Sequence, residues 1–423
     1  MKRLLGLLVV LVVSTASLGS SLAGPGFARF TDGSGSNASS FAAATLQPPA
    51  SVSASSGTSI VVNWSTAPSL NGAGYHVLRS ATSGGPYTQV GQVTPATAAS
   101  YTDTPATPGL YYYVVRSYFQ SWESANSTQT SATASTPQPL RLATGSYTGN
   151  GADNRTISGI GFQPDVVIVK CSCSQATIVR TGTMAGDAAK ILTNASALTA
   201  NLIQSLTSTG FTIGSDNRVN RNGNTYYWTA LKTGSALSIG SYVGNGADNR
   251  SIAGLGFRPE WVLTMGDGEN SWFRPDGLAG DASYAITANN SAANRIQALE
   301  TDGFQVGANN DVNRNGTPFH YIAFNTTAAV VRAGSYTGNA ADNRNVTGLG
   351  LSPDFAWVKR GAGSPAVFRP ASLAGDASME FNAAAANNQI QSLIAGGFQV
   401  GTVDLVNANA ETYYYLAIED PGP

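Results

Sequence analysis

The sequence predicts a mainly β protein: an antiparallel sandwich followed by three homologous antiparallel β modules, each with one short helix. Three observations carry this. The eleven residues GSYTGNGADNR at Gly145 return as GSYVGNGADNR at Gly240 and as GSYTGNAADNR at Gly334. Short apolar-alternating runs separated by Gly, Pro, Asn and Ser precede the first copy and recur inside each one. Only 11% of the residues are charged while Gly, Ala, Ser, Thr and Asn dominate, a composition suited to short strands and tight turns.

From the N-terminus, Lys2 and Arg3 precede LLGLLVVLVV, a basic start and an apolar run short of the roughly 20 residues that cross a bilayer. Residues 1–23 therefore read as a secretory signal peptide, with cleavage after Ala23 or after Ala16. No later run is long enough for a membrane helix, so the expectation is a secreted or cell-surface, extracellular protein without a permanent span. Residues 24–47 hold few large apolar side chains and read as a linker. Within them Ala28, Phe30 and Asp32 are followed by Asn37, Phe41, Ala43 or Ala44, Thr45 and Leu46. This pattern resembles the start of camelysin- and TasA-type exported proteins. The resemblance implies export through a specialised signal peptidase and a place at the cell surface or in an extracellular matrix; the linker reading stands beside it.

Residues 48–137 alternate as strands: SIVVNW, GYHVLRS, PYTQVG, SYTDT, LYYYVVRSY. About seven strands in such a length make an antiparallel sandwich. With Pro48 and Pro49 at the start, Trp64, Tyr75 and the run from Gly109 to Val115, the stretch closely resembles a fibronectin type III domain. The resemblance implies that Tyr111 is the corner tyrosine, its hydroxyl tied to nearby backbone, while Tyr113 and Val115 face the core.

The remainder divides into repeats at 138–233, 234–328 and 329–423, a spacing that suits one small domain per copy. Each copy carries a Gly-rich turn, a Pro and an apolar strand: GIGFQPDVVIVK, GLGFRPEWVLTM, GLGLSPDFAWVK. Then come MAGDAA, LAGDAS and LAGDAS, whose Asp187, Asp281 and Asp376 follow Arg180, Arg274 and Arg369 by seven residues. The pairs Ile203/Leu206, Ile296/Leu299 and Ile390/Leu393 have i, i+3 spacing and predict the short helix, capped by Gly210, Gly303 and Gly397. Asn222-Gly223 and Asn315-Gly316 predict a hairpin turn, relaxed to Asn409-Ala410 in the third copy. In the opening stretch, Gly149 and Asn150-Gly151 permit a turn that Asp153 and Asn154 cap. The triplicated part resembles an uncharacterised repeat of exported bacterial proteins, with a looser likeness to phage tail-fibre modules, and that resemblance brings no established active site.

Most chemistry is excluded by inventory. The histidines are His76 and His320, neither beside a recurring nucleophile, so base-assisted triads and zinc hydrolysis lack their parts. GNGADNR has no Gly-Lys-Ser/Thr, and the near-neutral charge balance, 23 basic to 24 acidic, argues against nucleic acid. The segment from Asp311 to Gly316 opens like a calcium loop, but Ile322 stands where a bidentate Glu is needed, and Arg218 and Leu405 replace Asp311 in the other copies. Cys171 and Cys173 are one residue apart; on a strand that spacing makes a bridge difficult, and two thiolates do not complete a zinc site.

The recurring polar and aromatic positions remain. Asp153, Asp248 and Asp342 with Asp187, Asp281 and Asp376 would serve a glycosidase, yet their neighbours Arg155 and Arg180 favour ion pairs or turn caps. Tyr147, Tyr242, Tyr336, Trp228, Tyr321 and Tyr415 would suit a sugar platform, but alternating strands must bury one face, so core packing is the default reading. The expectation is a secreted non-enzymatic surface or matrix protein for adhesion or assembly, with no catalytic, cofactor or metal residue assigned and no cofactor. Surface glycans, other extracellular proteins or its own copies would be its partners. The alternatives are a lectin-like carbohydrate-binding protein and a glycan hydrolase.

Overall fold

The computed structural model describes residues 26–30, 41–66, 74–136, 138–287, 290–326, 329–361 and 363–422. The signal peptide expected at residues 1–23 lies outside them. Among the described residues no helix is long and apolar enough to cross a membrane. The segment read as a linker contains a two-stranded antiparallel ladder in which Gly26–Phe30 pairs with Phe41–Thr45.

The chain divides into two compact units, Met1–Pro137 and Gln138–Pro423. In the first, strands Ala50–Ser55, Ile60–Ser65 and Ser100–Asp103 form one sheet. The facing sheet runs Thr130–Ala134, Gly109–Phe119, Gly74–Ser80, Thr88–Val93. The two pack over Ile60, Val62, Trp64, Tyr75, Val77, Tyr113 and Val115, one inward residue at every second position along each strand. This is the fibronectin III-like sandwich. Tyr111 Oη donates to the Thr107 carbonyl at 2.9 Å, the corner bond expected of it, and Tyr113 and Val115 are fully buried. Tyr113 Oη reaches buried Asp103, which also takes both hydrogen bonds of Arg79 Nη1.

The three repeats share one plan. In the first, a five-stranded sheet has the order Arg141–Thr148, Thr225–Lys232, Val166–Cys171, Ile178–Thr181, Lys190–Ile191. A three-stranded sheet, Arg155–Ser158, Gly210–Ile213, Ile203–Thr207, covers one of its faces. Val167, Val169, Phe211, Ile213 and Tyr226 fill the space between them. The other two repeats rebuild both sheets, the third adding a short sixth strand at Ala386–Asn387.

Two local expectations are corrected. Ile203 and Leu206 lie on a strand, as do their equivalents, and Gly210, Gly303 and Gly397 begin the next strand instead of capping a helix. Their lack of a side chain matters for another reason: a Cβ on Gly210 would sit 2.0 Å from the Ile157 carbonyl across the ladder. The short helix of each module comes later, as α1 Asn217–Asn220, α2 Asn310–Asn313 and α3 Asp404–Asn407. Asn222-Gly223 therefore joins a helix to a strand and closes no hairpin. The Asn224 N–H bonds the Arg221 carbonyl at 3.2 Å and Gly223 takes φ 79°, a type II turn; Ala410 takes φ 62° at the same place.

The second face of each five-stranded sheet is also buried, which explains why VVIVK, WVLTM and FAWVK are unbroken apolar runs. Val166 and Ile168 of the first repeat meet Trp261 and Leu263 of the second and Phe355 and Trp357 of the third in one shared core. The indole rings of Trp261 and Trp357 cross edge to face at 4.9 Å. The repeats close a ring around this core. Ala366 N–H bonds the Ile286 carbonyl at 3.1 Å, joining repeat three to repeat two, and Thr177 N–H bonds the Phe381 carbonyl at 2.8 Å, joining repeat one to repeat three. Between repeats one and two, the buried Lys190 ammonium donates to the carbonyls of Gly266 and Glu269 at 2.9 and 2.7 Å. The sequence left open whether the copies pack together; the three modules interlock in a single unit.

Candidate functional site

The recurring stretch wraps the one-turn helix of its own module. Gly149 N–H donates to the Asn224 carbonyl and Gly151 N–H to the Asn220 carbonyl, at 2.7 and 2.8 Å. Asn220, fully buried at the end of α1, accepts from Asn150 N–H at 2.9 Å through Oδ1 and donates from Nδ2 to the Ala152 carbonyl at 2.6 Å. Asn313 does the same at 3.0 and 2.7 Å and Asn407 at 3.0 and 2.7 Å. One amide side chain thereby replaces the turn's missing backbone partners, donor for acceptor.

The conserved plan extends to the rings. Tyr147, Tyr242 and Tyr336 each donate at 2.6 Å to the carbonyl of the helical valine, Val219, Val312 and Val406. Each stacks on the ring two positions into the outgoing strand, Tyr226, Phe319 and Tyr413. Arg155, Arg250 and Arg344 lie over the outer faces of these tyrosines at 5.1, 5.3 and 5.2 Å. Burial raises the Tyr147 and Tyr336 hydroxyls well above the usual phenol range, keeping them protonated donors. Trp228, Tyr321 and Tyr415 lie across the glycine that opens the stretch: a Cβ on Gly145 would fall 2.3 Å from the Trp228 ring. These aromatics line cores and offer no open sugar platform.

Arg180, Arg274 and Arg369 are buried and reach carbonyls of the loop that follows. Arg180 Nη2 donates to Met184 and Gly186 at 3.1 and 2.7 Å, and its Nη1 to Ala188; the other two arginines repeat this. Burial lowers all three guanidinium pKa values, opposed by the nearby Asp187, Asp281 and Asp376. Of the two roles expected for Asp187, ion pair or turn cap, an ion pair with Arg180 is absent from the ion pairs among the described residues. The arginine holds the loop and the aspartate holds the next turn, Asp187 accepting from Asn201 N–H at 3.1 Å.

The aspartates are the recurring charges left exposed. Gln204, Gln297 and Gln391 each donate at 2.9 Å to Asp153, Asp248 and Asp342. In the second repeat Gln297 Nε2 also reaches Asp281 at 3.3 Å, so one amide bridges both carboxylates. Each module thus presents an acidic and amide patch at an equivalent position. The glutamines sit next to the isoleucine pairs that suggested a helix; read as strand, Ile203-Gln204 and its two equivalents would have announced the patch.

Residues 141–238 match a sequence family described as a domain of unknown function, DUF7483. No curated protein matches the chain. Among solved structures, a Fn3-like protein from Clostridium thermocellum is 35% identical over 21% of this chain and 93% of that one, with a TM-score of 0.19. The FN1–FN3 domains of chicken CNTN1 are 10% identical over 45% of this chain and 62% of theirs, with a TM-score of 0.26. The matched family covers the first repeat, from its first strand to the start of the second repeat's sheet.

The calcium-like segment at Asp311 is α2 itself, where Asn309 Oδ1 caps the Asp311 N–H at 2.9 Å, and no group of three metal-binding side chains occurs among the described residues. His76 pairs with Glu123 at 2.6 Å. His320 is buried against Thr183 of the first repeat at 2.8 Å, and burial lowers its pKa. Cys171 and Cys173 are bridged: Cys171 ends its strand and Cys173 stands in the bend beyond it, so they leave the strand geometry that would have kept their sulfurs apart. The ring axis holds an apolar void of about 20 Å³ lined by Ile168, Trp261, Ile322, Phe355, Trp357 and Leu416, too small and too dry for a ligand.

Proposed function

We propose that this is a secreted, non-enzymatic surface or matrix protein, in which a fibronectin III-like unit is followed in the chain by a three-module unit used for adhesion or assembly. The observation that supports it is the threefold repetition of one exposed aspartate, Asp153, Asp248 and Asp342, each held by a half-buried or buried glutamine, on modules locked into a single unit. Repeated contacts held by one rigid body bind together, so weak single contacts add to a firm attachment. The recurring aspartates support contact better than turnover, because each already serves a turn amide or a glutamine.

The exported full-length protein, immobilised and challenged with a glycan array and with its own soluble form, tests this. Saturable self-association or binding to an extracellular protein, lost when Asp153, Asp248 and Asp342 are changed together to Asn, is the expected result. A second reading, glycan binding, rests on the same patch, since carboxylates and amides recognise sugar hydroxyls. Retention of a defined glycan would favour it, and detectable glycan hydrolysis would remove the non-enzymatic reading.

A further inference from the structure

We propose that the Cys171–Cys173 bridge is a thiol-exchange site, opened by a dithiol and closed by an oxidant, whose state sets the grip of the seam between the third and first repeats. The bridge spans the point where the ring closes. Repeat one runs on into repeat two and repeat two into repeat three, but repeat three meets repeat one through non-covalent contacts, among them the Ala385 N–H to the Ser172 carbonyl at 3.0 Å. Ser172 is the residue between the two cysteines, and its own N–H is held by the Thr225 carbonyl at 3.0 Å.

The bridge is poorly placed to be a staple. The stabilisation a disulfide gives by restricting the unfolded chain grows with the loop it closes, and this loop contains one residue. The other repeats supply internal controls. Gly266-Asp267-Gly268 occupies the same positions in repeat two without sulfur, and Gly266 still accepts its seam bond from Lys190. In repeat three Gly361 stands at the position of Ser172, and its carbonyl still accepts from Tyr284 Oη of repeat two at 3.4 Å.

Access and return are both built in. Cys171 is fully buried while Cys173 is partly exposed, so an incoming thiolate meets the Cys173 sulfur. Attack there forms a mixed disulfide and breaks the S–S bond, and the electron pair leaves on Cys171 Sγ, which takes up a proton. Asn224 Nδ2 lies 3.6 Å from that sulfur and 3.4 Å from its partner, an N–H donor for the leaving thiolate. The second thiolate of the dithiol then attacks its own sulfur in the mixed disulfide and expels Cys173. The dithiol leaves oxidised, and the protein has gained two electrons and two protons. Lys170, buried beneath, donates to the Cys171 and Cys173 carbonyls at 2.8 and 2.7 Å. It keeps the two thiols within reach of each other once opened, so an oxidant re-forms the bridge.

The test uses the full-length protein under native conditions, with dithiothreitol as the dithiol. Alkylation and mass spectrometry read the thiols, and hydrogen exchange reads the amides of Ala385 and, as control, Ala366 at the seam between repeats two and three. The expected result is reduction without unfolding, exchange at Ala385 faster by about tenfold with Ala366 unchanged, and reversal on removing dithiothreitol in the presence of oxidised glutathione. The variant Cys171→Ser with Cys173→Ser should stay folded and match the reduced protein at Ala385. A bridge that yields only after denaturant, a reduced protein with unchanged Ala385 exchange, or a double variant that does not fold would each overturn the proposal.

Discussion

Replacing Asn220 with Ala tests directly whether the recurring stretch serves the scaffold. The substitution removes two short hydrogen bonds, from Asn150 N–H at 2.9 Å and to the Ala152 carbonyl at 2.6 Å, together with a longer one from Arg155 at 3.4 Å. Water can reach the turn groups, so each short bond is worth about 1 kcal/mol and not the full penalty of a buried orphan. The side chain itself is fully buried, and the space it vacates adds about another 1 kcal/mol. The expected loss is about 2–4 kcal/mol for the unit formed by Gln138–Pro423, read as a fall in the urea midpoint with unchanged slope. Asn313→Ala and Asn407→Ala are built-in replicates, since their two short bonds match within 0.1 Å. Losses below about 0.5 kcal/mol at all three sites would refute the clamp. A loss of binding with no change in stability would instead make the stretch a contact surface.

Other perturbations separate the seam from the module. Lys190→Met should cost about 3–5 kcal/mol in denaturant unfolding, because it strands the carbonyls of Ser196, Gly266 and Glu269; Met379 fills the equivalent position, so size is not the obstacle. Burial pushes the amines of Lys170, Lys190 and Lys359 down to about 8, below their ordinary 10.5. Between those values the unfolded chain binds more protons than the folded one, so stability should rise with pH from about 8 to 9.5 and rise less steeply in Lys190→Met. Gly149→Ala should destabilise by about 2 kcal/mol or more, since its Cβ would meet the Arg221 carbonyl at 2.1 Å, whereas Gly151→Ala should lie within about 1 kcal/mol of the parent, Ala340 already holding that place at φ 56°. Tyr111→Phe should lower only the transition of the fibronectin-like unit, by about 1 kcal/mol, through loss of the bond to Thr107.

The interlocked core changes how the repetition is to be understood. Three copies hanging separately would each need a complete core; here each gives one face of its larger sheet to the others. A cut that isolates Gly240 to Asn325 would expose Trp261, Leu263 and Phe273, all nearly fully buried in the shared core. Apolar surface of that size draws copies together, so the isolated middle repeat is expected to aggregate or trimerise. Size-exclusion chromatography of that fragment distinguishes this from a stable monomer.

By itself the sequence determined the mainly β class, the boundary near Pro137 and the three-copy period, because alternation, turn residues and recurrence are local signals written along the chain; the corner role of Tyr111 came only through the resemblance to a fibronectin type III domain. It also showed that glycine is optional at one turn position, where Ala340 replaces it. It misassigned the helix: i, i+3 isoleucine and leucine pairs fit a strand with a bulge between Ile203 and Ser205 as well as a helical face. A one-turn helix such as α1 is too short to leave a periodic pattern, though the recurring Val219-Asn220 dipeptide marked its place. Only the tertiary structure decided that Arg180 holds carbonyls in place of Asp187 and that three sheets bury their second faces against one another. Those outcomes depend on contacts between residues far apart in the chain, where the partner of a buried donor or an apolar face is set by packing and cannot be read from its neighbours.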